Sequence, residues 1–288
     1  MTELHGDPGG VESGAAVNNL RPVAGKRPGT VANETPLFEY LLRLGDDRLV
    51  LGHRMSEWCG HGPILEEDIA LSNISLDLIG QATSLLKLAG EVEGKGRDED
   101  ALAYFREAVA YRNALMCELP KGDFGFTIVR QFLFDAQSVL VWEALAASGA
   151  AADGALSTLA AIAAKAIKED KYHLRHTSEW VVRLGDGTAE SHARAQAALD
   201  ALWPYTAEFF DRDGVDDAVA ALGVKIDMAA IRSRWDAIVN EVLARATLTR
   251  PAEGVAQRGG RRGRHTEHLG RMLAEMQIVA RSHPGASW

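Results

Sequence analysis

In "KAIKEDKYHLRH" (165–176), Asp170 and His173 stand three residues apart with Glu169 alongside. On a helix that spacing places the carboxylate and the imidazole on one face. A four-helix bundle holds two irons with two such pairs and one further carboxylate from each remaining helix. Here Asp replaces Glu and reaches one methylene less far. A second candidate is Asp135 in "FLFDA", where an apolar setting makes a carboxylate expensive unless a cation, a metal or several donors meet it. A third is Asp77 in "DLIG", whose fourth residue, Gly80, has no side chain with which to ligate. In the first apolar segment the central residues are Leu49, Val50 and Leu51, with Asp46 and Asp47 about one turn away. Each feature also has a plainer reading. His173 reads as a hydrogen-bonded core histidine, with Asp135 partnering it or Arg175, and Asp77 as bonded to Gln81 or a neighbouring helix. Glu66, Glu67 and Asp68 read as first-turn carboxylates favoured by a helix N-terminus.

The elements that must position these residues are helices. From Leu37 onward the apolar spacing is helical and hairpin signals are scarce, so the class is all-α. Helices are expected over about Leu37–Trp58, Ile64–Ala89, Glu99–Glu118, Phe126–Ala147 and Ala155–Leu184, the last closed by a left-handed cap at Gly185. Beyond them come a segment from Ala189 to near Trp203-Pro204, a short piece around Phe209-Phe210, a helix over Met228–Thr247 and a last one over His265–Arg281. The first, second, fourth and fifth helices form two hairpins joined by the third, which is the layout of a ferritin-like four-helix bundle with one long crossover. A single domain is therefore expected over residues 37–288, with a core bundle over 37–185 and a C-terminal helical extension over 186–288. Residues 1–36, rich in glycine and interrupted by Glu3, Asp7 and Glu12, read as a flexible tail rather than a signal peptide.

The formal net charge of −9 gives no global attraction to nucleic acid or to an anionic membrane. No stretch reads as apolar and uncharged for long enough to span a bilayer. The two cysteines, Cys59 and Cys117, suggest neither a disulfide framework nor a thiolate metal site, and read as reduced core thiols of a cytoplasmic protein. Against this acidic background "RGGRRGRHTEH" (258–268) concentrates Arg258, Arg261, Arg262, Arg264 and His265. Its glycines allow backbone N–H groups to approach a phosphate, and the arginines suit a subunit interface. Within it, "HTEH" reads as a helix cap rather than a metal motif.

The strings "LRLGDDRLVLGHRMSEWCGH", "EEDIALSNISLDLIGQA", "AAKAIKEDKYHLRHTSEW", "LWPYTAEFFD" and "GGRRGRHTEHLGRMLAEMQ" occur in that order between Leu42 and Gln277. Over about Leu37–Trp288 the sequence resembles the C subunits of bacterial phenylacetyl-CoA epoxidases, multicomponent oxygenases of phenylacetate breakdown. The resemblance implies a ferritin-like structural subunit without catalysis or cofactor of its own. It further implies a hetero-oligomer with the catalytic A subunit, which carries the di-iron centre and binds the coenzyme A thioester, and with a reductase that supplies electrons. Relative to the catalytic motif, Asp135, Asp170 and His173 match, and Asp77 is a shortened match. Leu49 or Val50 stands for the first carboxylate and Gly80 for the first histidine. A metal-dependent oxygenase with a degenerate site is the alternative.

Overall fold

A computed structural model describes residues 35–148 and 154–286. In chain order the helices are α1 (Pro36–Ser56), α2 (Leu65–Glu93), α3 (Glu99–Tyr104), α4 (Leu115–Glu118), α5 (Phe124–Ser148), α6 (Ala155–Gly185), α7 (Ala189–Leu202), α8 (Gly214–Ala221), α9 (Met228–Arg245) and α10 (Glu267–Ser282). Short 3₁₀ segments occur at Ala108–Ala110, Trp203–Phe210 and Gly260–Arg262, and the described residues contain no strand. The tail expected over 1–36 lies outside the described residues except for its last two. Of these, the Thr35 Oγ1 accepts the Phe38 N–H at 3.3 Å and Pro36 fills the first turn, so both belong to α1.

The chain has the all-α, ferritin-like architecture. α1 packs along α2 and α5 along α6, α2 meets α6, and the α3–α4 region crosses between the hairpins. Leu41, Leu44, Leu51 and Met55 of α1 face Leu71, Ile74, Leu78 and Leu85 of α2 in a core closed by Phe132, Phe134 and Trp142 of α5. The extension covers one side. α7 and α9 lie on α5 and α6, α8 on α1, and α10 on α3. Trp235 anchors α9, its Nε1–H donating to the Leu133 carbonyl at 3.0 Å.

Four expectations need correction. The third helix is not continuous over 99–118: it breaks over residues 105–114, where the Arg112 and Ala114 N–H groups donate to the buried carboxylates Asp46 and Asp47 of α1. Gly185 lies within α6 rather than in a left-handed cap, and a Cβ there would lie 2.2 Å from the Ala246 carbonyl oxygen, so close approach explains the glycine. Cys59 is exposed, whereas Cys117 is buried beside Asp47, where burial pushes its thiol up. Finally, α2 is by length and composition apolar enough to cross a membrane. Its inner stripe, however, forms part of the bundle core.

Candidate functional site

The centre of the bundle is organised by a residue absent from the metal reading. Arg48 occupies the inward line Leu41–Leu44–Arg48–Leu51–Met55 of α1 and is 2% exposed. Its guanidinium donates to the Leu44 carbonyl (Nη1, 3.0 Å), to Gln81 Oε1 of α2 (Nε, 3.1 Å) and to Ser138 Oγ of α5 (Nη2, 2.7 Å). It also stacks over Trp142, with Cζ 4.0 Å from the ring centroid. Gln81 and Ser138 pass the contact on to α6. The Gln81 amide donates to Asp170 Oδ1 at 2.8 Å and the Ser138 hydroxyl to Oδ2 at 2.6 Å. Gln81 also reaches Glu169 at 3.0 Å. Both Asp170 oxygens are thus occupied, and one side chain from each long helix joins the network. Burial pulls the Arg48 pKa down, opposed by the charges of Asp170 and Asp47.

His173 lies next to this network but is not partnered as expected. Its Nε2 meets Asp77 Oδ2 at 2.9 Å, while Nδ1 is 3.7 Å from Asp170 Oδ1 and makes no hydrogen bond. Asp135 instead accepts from the Gln131 amide at 2.7 Å and the Thr177 hydroxyl at 3.1 Å. Its burial between helices, without a direct cation, raises its pKa to about 7, against the pull of His173. Burial lowers the His173 pKa, but the Asp77 hydrogen bond and the Asp135 and Asp170 charges outweigh it, so the net shift is upward. Arg175 is exposed on the other side of the helix. Asp77 and Gly80 also sit differently from the ligand reading. Inward positions of α2 are Ile74, Leu78, Gln81 and Leu85, whereas Gly80 faces outward. Asp77 reaches His173 from the α2–α6 seam. About three turns before it, buried Glu67 lies 3.0 Å from His176 Nε2, a contact between helices and not only a first-turn charge.

Among the described residues no three His, Cys, Asp or Glu side chains are arranged to hold a metal ion. The donor chemistry agrees with this. Each Asp170 oxygen already accepts a hydrogen bond, His173 Nε2 is engaged by Asp77, and Leu49 and Val50 are buried aliphatics. From α1 the polar group directed into the bundle centre is the Arg48 guanidinium and not a carboxylate. These residues do not fit a carboxylate-bridged pair of irons.

A second buried polar cluster ties the basic loop to α1. Asp47 receives Arg261 in a fork, Nη1 to Oδ1 at 2.9 Å and Nη2 to Oδ2 at 2.8 Å, and its Oδ1 also accepts the Ala114 N–H at 2.7 Å. Asp46 pairs with Arg106 and accepts the Arg112 N–H at 2.8 Å. His265 Nδ1 meets Glu118 Oε2 at 2.7 Å, and Glu208 accepts the N–H groups of Leu115 and Gly259 at 2.7 and 2.8 Å. Burial opposes the charge of Arg261, but Asp47 outweighs it and holds the guanidinium protonated. Two expectations therefore fail. Arg261 and His265 are engaged within the chain and are not available to a partner or a phosphate. The Gly259 N–H is spent on Glu208 and those of Arg262, Gly263 and Arg264 on carbonyls of the loop itself, so these four are not free to cradle a phosphate. Thr266 caps α10 by accepting the His268 N–H, as "HTEH" suggested. Arg258 meets Asp211 at 3.0 Å, and Arg262 and Arg264 are exposed on a groove of about 470 Å³.

Arg48 escaped sequence reasoning because its charge directed attention to the neighbouring acids. The signal was available: it fills the gap between Leu44 and Leu51 in the inward period of α1, as Gln81 does between Leu78 and Leu85.

The comparisons with known proteins agree with this architecture. Residues 21–288 match the family model of the phenylacetic acid catabolic proteins. The chain is 47% identical over 252 residues to a protein of Escherichia coli (strain K12) named as the C subunit of 1,2-phenylacetyl-CoA epoxidase, and the match covers 88% of this chain and 99% of that relative. A match of that extent, together with the bundle and its C-terminal helices, places the chain in a family: it belongs to the phenylacetic acid catabolic proteins.

Proposed function

We propose that the chain is a non-catalytic structural subunit of a cytoplasmic phenylacetyl-CoA epoxidase, binding and stabilising the subunit that carries the di-iron centre. The observation that carries this reading is Arg48. Its guanidinium links all four long helices through Gln81, Ser138 and Asp170, giving the bundle the internal cross-link and the positive charge that metal ions supply in an iron-bearing bundle. The name of the Escherichia coli relative supports the assignment to an epoxidase complex. In such a complex the partner inserts one atom of O₂ into the aromatic ring of the thioester to give the 1,2-epoxide. The other atom leaves as water, with two electrons from a reductase and two protons from solvent. This chain contributes surfaces and a rigid core.

Co-expression with the catalytic subunit tests the proposal. The two chains are expected to purify together, with iron confined to the partner, and the catalytic subunit is expected to lose solubility or activity when expressed alone. Stoichiometric iron in this chain by itself, lost in Asp170→Ala together with an oxygenase activity of the isolated chain, would refute it.

A further inference from the structure

Where α8 and the turn before α9 close over α1 and α5, they leave a chamber of about 60 Å³. Its walls are largely apolar, with Leu44 of α1, Val141 of α5, Phe209 of the 3₁₀ segment and Val219 of α8 among them. At about 10–15 Å³ of accessible volume for each water-sized atom, that is room for roughly four to six heavy atoms. The charged groups around it are three arginines and three acids, and each is already matched. Arg43 forks onto Asp213 at 3.1 and 2.8 Å, and Asp216 accepts the Asp213 N–H at 2.9 Å. Arg212 meets Asp217 at 2.9 Å and Asp211 meets Arg258 at 3.0 Å. Arg261 is held by Asp47, and Glu208 by the Leu115 and Gly259 N–H groups. A ligand entering this chamber finds no free charge.

Two of the side chains that line it are polar and unmatched. Tyr40 is 8% exposed and Gln137 9%, and among the described residues neither the phenol hydroxyl nor the amide makes a hydrogen bond. Neither is sealed in. Their polar atoms keep accessible surface, unlike the enclosed indole N–H groups of Trp142 and Trp203. Burial pushes the Tyr40 phenol up, so it remains a protonated donor at neutral pH. Buried polar groups are normally partnered, and these two line one chamber whose partner the chain does not supply. Water would satisfy them but would leave the apolar walls wet.

We propose that this chamber is a binding site for a small uncharged molecule, with an alkyl end against Leu44, Val141, Phe209 and Val219 and a carboxamide-like polar end at Tyr40 and Gln137. The phenol donates, and the amide both donates and accepts, which suits a carbonyl joined to an N–H. The matched charges select against ions, since a carboxylate or ammonium entering here loses hydration and gains no counter-charge. The site lies between the core bundle and the C-terminal helices and does not depend on the structural-subunit reading.

Propionamide, with five heavy atoms, is the ligand used in the test. The full chain, labelled with ¹³C-methyl methionine, is titrated and followed by NMR. The methyl of Met228, which lines the chamber, is expected to shift along a saturating curve, while those of Met55 and Met116, buried elsewhere in the core, stay in place. Propionate, of the same size but charged, is expected to bind roughly tenfold or more weakly. Tyr40→Phe and Gln137→Leu, which nearly keep the volume, are each expected to weaken propionamide about three- to tenfold. Ala220→Leu, which occupies the chamber, is expected to abolish the shift. A non-saturating drift shared by all methionine methyls would overturn the proposal, as would propionate binding as tightly as propionamide. Wild-type affinity in Tyr40→Phe or in Gln137→Leu would overturn it too, and these two conservative variants decide the matter even if Ala220→Leu disrupts α8.

Discussion

Replacing Arg48 with methionine removes a cation from the centre of the bundle while keeping most of its volume. Gln81 and Ser138 still donate to Asp170, but the carboxylate loses the guanidinium linked to it through both donors. The stacking on Trp142 is lost as well. Removing one side of a buried charge pair typically costs about 3–5 kcal/mol, much of it from the charge left behind. At about 2–4 °C per kcal/mol for a chain of this size class, the melting temperature falls by roughly 6–20 °C. The double variant Arg48→Met/Asp170→Asn relieves the stranded charge, so it is expected to be less destabilised than the sum of the single variants by about 1–3 kcal/mol. Denaturant unfolding of the four proteins at neutral pH, each fitted for midpoint and slope, measures that coupling. Additive single effects would refute the idea that Arg48 balances Asp170, and a stable, unchanged Arg48→Met would refute its structural role altogether.

Asp135 gains protons on folding, since its pKa rises from 3.8 to about 7, so stability falls as pH climbs between those values, by at most on the order of 4 kcal/mol from this group. The raised His173 acts in the same direction, its contribution being complete below its ordinary value and lost as pH passes the folded one. Calorimetry is therefore expected to give a higher melting temperature at pH 5.5 than at pH 8, and Asp135→Asn to flatten the slope; an unchanged slope counts against the assignment. Arg261→Ala strands Asp47 in the core and is expected to cost about 3–5 kcal/mol, with new protease cleavage in the 254–264 loop. Conversely, Arg262→Ala/Arg264→Ala removes no side-chain hydrogen bond or ion pair seen among the described residues and is expected to leave stability within about 0.5 kcal/mol of wild type. If these arginines meet carboxylates of the partner, the double variant lowers complex formation at low salt. A change confined to the Michaelis constant for the thioester assigns them to substrate instead.

The two hairpins were legible because long helices with an unbroken apolar period leave little choice of partner, and their order alone dictates a crossover. The crossover itself was not legible. "LAYFREAVAYRNALMCE" has helical composition, yet the N–H groups of Arg112 and Ala114 go to Asp46 and Asp47, a tertiary demand that overrides local propensity. The same contacts give a structural role to the two aspartates, which the sequence placed only about one turn from the aliphatic centre of α1. α8 went unnoticed because Gly214 and a run of small residues obscure an eight-residue helix that two capping contacts of Asp213 and Asp216 hold in place. At the candidate site the spacing of Asp170 and His173 was read correctly, but the face of α2 was not. Asp77 and Gly80 were placed inward by analogy with a ligand pair, when the period of Ile74, Leu78 and Leu85 assigns that direction to Gln81. Arg261 and His265 were read as outward because a glycine-rich basic run has no apolar period to reveal that part of it is buried.

The pairing of Arg261 with Asp47 joins residues 214 positions apart. During synthesis, α1 and α2 are made first and Asp47 has neither the Ala114 amide nor the guanidinium that will neutralise it. A chain halted before residue 261 therefore retains an unmatched acid in its oldest helix. Such a product is marked by its own core as incomplete, open to proteases until translation has nearly ended, and a functional fragment ending at the close of the bundle, near residue 185, is not to be expected.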